Sequence, residues 1–168
     1  IKHLEVNSSK AENPLKIFWF SQTIGPNRGL DEALEAIRII GSPLIELHAL
    51  GNPREHAINH YKQLATSYGF LPSQLNFYSP IAPDDIYALA AKFDIGLASE
   101  IGIPYNRNLC LTNKIFTYIQ AGLAVVASDT LAQRSLLQSY PGCGETFKMQ
   151  DSGDLARIFK YYLENRSE

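Results

Sequence analysis

No apolar run in this 168-residue chain approaches the ~18 residues needed to cross a bilayer, and no secretory signal pattern opens it. Cysteine is scarce. The two present, Cys110 and Cys143, have neither metal-site nor redox spacing, so a disulfide-stapled scaffold is excluded and a reducing cytoplasm is the simplest compartment. Neither sign of charge is in excess: a formal charge of −2 and a pI near 6.1 lack the electrostatic footprint of a nucleic-acid binder. There is no G-x-G-x-x-G fingerprint, no G-K-[ST] phosphate loop, and no nucleophile elbow with a Ser-His-Asp order. Internal repeats and low-complexity segments are missing as well.

What is present is an ordinary globular composition, 45% hydrophobic and 19% charged, in a chain long enough for one domain with its own core. The chain opens IKHLEV, without an initiator methionine, and its first fourteen residues are polar and weakly patterned. They read as a linker or interdomain segment (1–14) ahead of one domain (15–168), in a piece of a longer protein. From residue 15 short apolar runs alternate with helical periodicity. LKIFWFS (15–21), LIELHAL (44–50), LNFYS (75–79), IGLAS (95–99), LAVVA (123–127) and a run near 145–148 are predicted strands. Helices are predicted over 31–40, 55–69, from Pro83 onward, 113–121, 131–140 and at the C-terminus. This alternation predicts an α/β fold, a doubly wound, Rossmann-like parallel sheet flanked by helices in three α/β/α layers. Ligands of such sheets bind beyond the carboxyl ends of the strands, which directs attention to loops 21–30, 79–84 and 99–113.

The segment TNKIFTYIQAGLAVVASD (112–129) holds an electrostatic oddity. Lys114 stands in the first turn of a helix behind Thr112, a favourable N-cap residue, where the helix dipole disfavours a cation by ~0.3–1 kcal/mol. A bound anion at that helix start resolves the conflict; a lysine stem swung into solvent resolves it equally. Arg28, in SQTIGPNRGL (21–30), repeats the arrangement ahead of a helix whose first turn holds Asp31 and Glu32. Together, a bidentate guanidinium and an ammonium suit a diphosphate, whereas pairing of Arg28 with Asp31 or Glu32 is the plainer alternative. Glu100, just past a strand, could accept hydroxyl groups of a sugar or stand as an ordinary exposed acid. The long stretch after it holds Asn106, Arg107 and Asn108, which could move onto a ligand. His56 and His60, four apart, read as a solvated helix face more than as metal ligands, and Asp151 and Asp154 as helix capping.

In order and spacing these segments resemble the C-terminal half of a group 1 glycosyltransferase of the two-domain GT-B class, over residues 15–163. FSQTIGPNRGLDEALEAI resembles the family's strand, basic-Gly step and helix; LIELHALGNP its second strand and glycine turn. LNFYSPIAPDDIYALAAKFDIGLASE resembles its strand, turn, helix, strand and glutamate, and NKIFTYIQAGLAVVASDT the Asn-Lys version of its last signature. The resemblance implies a donor-binding domain for a nucleoside-diphosphate sugar, with the acceptor held by an N-terminal domain outside this chain. It implies that Arg28 neutralises the diphosphate, assisted by amides around Leu111, Thr112 and Asn113 and by Lys114. Pro80 and Ile81 then flank the base, Glu100 faces the donor sugar, and Gly25 and Gly51 belong to the donor-binding turns. Two positions depart from the pattern: Thr23 stands for an arginine and Thr117 for a ribose-holding glutamate. Transfer with retained configuration, no metal or other cofactor, and cytoplasmic residence are implied, with peripheral membrane contact left open to the full protein. Two other readings stand beside this one: a degenerate, non-catalytic binding or scaffold domain, and a fragment of a sugar-nucleotide epimerase.

Overall fold

Six of the apolar runs become strands in the computed structural model, which describes residues 13–101 and 106–165. They are β1 (Leu15–Ile24), β2 (Ile45–Pro53), β3 (Leu75–Tyr78), β4 (Ile95–Ala98), β5 (Ala124–Ser128) and β6 (Gly144–Phe147). Between them lie α1 (Leu30–Ile40), α2 (Ala57–Ser67), α3 (Pro83–Ala90), the single turn α4 (Asn106–Leu109), α5 (Asn113–Gln120), α6 (Leu131–Ser139) and α7 (Ser152–Glu164). All strand pairs are parallel, in the order β3-β2-β1-β4-β5-β6. A sheet buried on both faces needs no polar face, and Val125, Val126 and Ala127 are accordingly all fully buried.

The two faces have separate cores. Ile17, Trp19, Leu34, Ile37, Leu47, Tyr61, Leu155 and Phe159 pack on one side, under α1, α2 and α7. Phe18, Ala98, Ile115, Tyr118, Val125 and Leu137 pack on the other, under α3, α5 and α6. Helix ends follow their sequence signals where a polar side chain or glycine is in place. Gly41 closes α1 in the left-handed region with its N–H on the Ile37 carbonyl. Thr130 and Asp151 cap α6 and α7 by accepting from the Gln133 and Asp154 amides. Thr112 does not behave this way: it precedes α5 in extended conformation, but its hydroxyl makes no capping bond.

Two predicted boundaries are corrected. The first strand, predicted to end at Ser21, continues through Gln22, Thr23 and Ile24, because after a bulge between Phe20 and Thr23 the chain pairs again with β2, Thr23 opposite Asn52 and Ile24 opposite Pro53. The stretch 99–113 contains α4, and the Asn108 side chain accepts from the Leu131 amide, which ties it to the start of α6. Residues 102–105 of that stretch lie outside the described residues.

The order of strands places the switch point at β1 and β4. From β1 the chain winds outward through β2 to β3, then returns through α3 to β4 on the other flank of β1. The connections leaving β1 and β4 therefore part in opposite directions, opening a crevice at their carboxyl ends.

Candidate functional site at the switch point

β1 delivers Thr23, Gly25 and Arg28 to this crevice, and β4 delivers Ser99 and Glu100. The contact that closes it is Gly29 against Ser99. Gly29 holds φ +84°, and a Cβ placed on it would lie 2.1 Å from Ser99 Oγ. Only glycine meets both conditions. The Ser99 hydroxyl, 1% exposed, accepts from the Trp19 indole N–H at 3.2 Å and donates to the Arg28 carbonyl at 3.1 Å. Among the described residues Arg28 makes no ion pair with Asp31 or Glu32, so the plainer reading of that arginine is not what the fold provides. Asp31 instead receives the Tyr61 hydroxyl and faces His60. Burial, and secondarily the neighbouring Asp31 charge, holds the Glu32 carboxyl above its ordinary range.

Lys114 does not swing into solvent. Its Nζ donates to Glu100 Oε1 at 3.0 Å and stands 5.5 Å from the centre of the Trp19 ring. Side-chain exposure is 11% for Lys114 and 6% for Glu100, so both charges are withdrawn from bulk water together. The Glu100 amide is anchored by donating to Ser128 Oγ at 2.8 Å. Glu100 is thus a buried, held carboxylate, not an exposed acid. Thr23 Oγ1 and Thr112 Oγ1 are buried without a hydrogen-bond partner among the described residues. An orphaned hydroxyl costs ~1–3 kcal/mol, and here two of them lie on the segments that lead into the crevice.

The remaining predicted residues fall into three groups. Pro80 and Ile81 follow β3 and are exposed, and Leu111 and Asn113 bracket the start of α5. Gly51 has a packing reason to be glycine, since a Cβ would lie 2.4 Å from the Ser21 carbonyl oxygen, whereas a Cβ on Gly25 would meet only the flexible Arg54 stem, with Cδ at 3.0 Å. Thr117 is buried with its hydroxyl donating back to the Asn113 carbonyl of its own helix at 3.0 Å. His56 pairs with Glu55 and His60 with Asp31, so the two imidazoles are not brought to one point. Among the described residues no three His, Cys, Asp or Glu side chains cluster as a metal site.

Sequence reasoning missed four contributors. Trp19 and Ser99 look like strand core, and Ser128 like a strand end, because their polar atoms act only across strands. Arg54, whose stem lies over Gly25 and whose amide donates to the Ile24 carbonyl, was signalled by a cation directly after the Gly51-Asn52-Pro53 turn.

No family model and no curated protein matches the sequence. Solved structures do match. The chain is similar to HepE of Anabaena in complex with UDP and glucose, with a TM-score of 0.74 and 19% identity over 92% of this chain and 40% of that one. It is similar to the C-terminal domain of the group 1 glycosyl transferase LpcC of Francisella tularensis, TM-score 0.68 and 17% identity, covering 92% and 78%. Sucrose-phosphate synthase of Thermosynechococcus elongatus gives a TM-score of 0.71 at 15% identity, covering 92% and 37%. The chain spans less than half the length of the full-length proteins among these. At such identities the likeness is one of fold, and the fold is that of the C-terminal domain of group 1 glycosyltransferases.

Proposed function

We propose that this chain is the donor-binding domain of a glycosyltransferase that uses a nucleoside-diphosphate sugar. The observation that carries the reading is that the Arg28 loop, tied to Ser99, and the Lys114–Glu100 pair flank the switch point of β1 and β4, at the start of α5. There the α5 amides and two cations suit a diphosphate, and Glu100 is the carboxylate assigned to a hydroxyl of the donor sugar. The fold match to structures holding UDP and UDP-glucose supports the same ligand class.

The chemistry follows from charge. As the glycosidic bond to the donor breaks, negative charge grows on the departing nucleoside diphosphate while the sugar becomes oxocarbenium-like. Fixed cations and helix amides stabilise that charge, an effect typically of several kcal/mol. The acceptor belongs to a partner domain, so the chain alone binds donor and does not turn it over. Titration calorimetry with UDP, GDP and their sugars tests the reading: saturable binding that is lost in the Arg28→Ala, Lys114→Ala double variant is expected. Binding to none of them, or binding indifferent to that variant, overturns it. Full-length protein with labelled donor then separates a transferase, which needs acceptor, from an epimerase, which does not, and the anomeric form of the product reports retention or inversion.

One observation favours a second reading. Thr117 stands where the family pattern has a ribose-holding glutamate, and its hydroxyl is spent on its own helix. A non-catalytic scaffold domain follows from that, and the same calorimetry distinguishes it by the absence of nucleotide binding.

A further inference from the structure

The loop that carries Arg28 and the side chain of Lys114 flank the crevice, and each meets one of a buried pair of side chains: the Arg28 carbonyl meets Ser99, and the Lys114 ammonium meets Trp19. Ser99 lies between β4 and the loop that carries Arg28, 1% exposed, with its oxygen accepting from Trp19 and its proton on the Arg28 carbonyl. Gly29 is packed so tightly on that hydroxyl that the loop cannot approach further. On the other side the indole face of Trp19 lies under the Lys114 ammonium, which Glu100 also holds. Neither polar side chain serves the sheet ladder: Trp19 pairs within β1 through its backbone, and Ser99 follows the end of β4. A buried serine is costly unless its hydroxyl is used, and here it is used twice, on the Trp19 indole and on the Arg28 carbonyl.

Resting on the donor-site reading above, we infer that Ser99 and Trp19 are positioning residues that set the two cations of the diphosphate site as one unit. Ser99 acts on Arg28 through the backbone of its loop, and Trp19 acts on Lys114 through the face of its ring. A diphosphate that draws Lys114 away from the ring alters the environment of the indole. Trp19 is the single tryptophan of the chain, so its emission reports occupancy of the site.

The test is a fluorescence titration of the 168-residue chain with UDP and, in parallel, GDP, repeated on Ser99→Ala, Arg28→Ala and the double variant. The parent is expected to change its emission saturably on binding. Ser99→Ala is expected to weaken binding about tenfold, the effect of losing one aligned hydrogen bond, with Kd taken by calorimetry. In the Arg28→Ala background the same substitution is expected to change Kd by less than about twofold, because a residue that acts through Arg28 has nothing left to position. A merely structural serine would lower Tm and leave the two backgrounds alike. Trp19→Phe, which keeps an aromatic face and removes the N–H, covers the case in which Ser99→Ala does not fold; its smaller loss of affinity should also vanish without Arg28. Parent-like Kd in both variants, or equal losses with and without Arg28, overturns the proposal and leaves the donor site standing. Absence of UDP and GDP binding by the parent overturns the donor-site reading and this inference with it.

Discussion

Gly29 shows how a single position joins backbone and site. Its φ of +84° is a region in which a side chain is strained, and its missing Cβ is the space that Ser99 Oγ occupies. Gly29→Ala therefore meets two penalties at once, left-handed strain and overpacking, and should lower unfolding free energy in urea by about 2–4 kcal/mol. An Ala variant within 0.5 kcal/mol of the parent would mean that the loop relaxes freely and that Ser99 does not clamp it. Lys114 teaches the complementary lesson. Its place in the first turn of a helix is unfavourable, and the local compensation is the Glu100 carboxylate 3.0 Å away. The residue type signalled that an anion was needed, and spacing alone gave no sign that one was already supplied from β4.

At the scale of elements, α5 and β2 carry the clearest contrasts between pattern and structure. Helix α5 was legible as an amphipathic run ended at a glycine, and it forms over Asn113–Gln120. What the pattern could not show is the direction of individual hydroxyls. Thr117 turns inward to the Asn113 carbonyl, so Thr117→Val should leave the calorimetric Kd for UDP within about twofold, since a hydroxyl already bonded within the helix offers little to a ligand. A tenfold loss would place Thr117 at the ribose after all. The pattern ends the first strand at Ser21 because Gln22 and Thr23 are polar, and the pairing that extends it comes from β2, about thirty residues away in sequence. β2 also holds His48, buried between the Tyr78 hydroxyl and the Glu46 carboxylate with its ring 4.8 Å from Phe93. Burial pushes its pKa below the ordinary 6.5, outweighing the pull of Glu46 in the other direction. The folded state thus refuses a proton that the unfolded chain accepts, so this group's contribution is constant above that range and stability falls as pH drops below 6.5. His48→Phe keeps a ring and removes the titration: urea unfolding from pH 7.5 down to pH 5.5, at unit or half-unit steps of about that spacing, should show a steeper loss in the parent than in the variant. Parallel curves would remove His48 from the acid response.

At the scale of the whole molecule, the alternation of apolar runs with helical periods was enough to order the chain into a parallel doubly wound sheet, because such a sheet writes its burial on both faces into continuous strands. The proposed donor site was half legible for the same reason. Topology predicts where ligand loops gather, so Arg28 and Glu100 could be picked from loops after strands and Lys114 from the helix start that follows, whereas Ser99, Trp19 and Ser128 join them only through contacts across the sheet. This division has a thermodynamic consequence. A ligand held by residues from β1, β4 and α5 at once binds only the assembled sheet, so it must stabilise the fold by mass action. UDP at 100 times its Kd should add about 2.7 kcal/mol, which for a domain of this size raises Tm by roughly 5–10 °C. In the Arg28→Ala, Lys114→Ala double variant the same UDP concentration should shift Tm by less than about 1 °C, since the population bound falls with affinity. Differential scanning fluorimetry of both proteins, at equal ionic strength so that screening is common to the pair, decides the matter. A shift of similar size in parent and variant would show that UDP binds elsewhere on the sheet, and the crevice between β1 and β4 would lose its claim to the diphosphate.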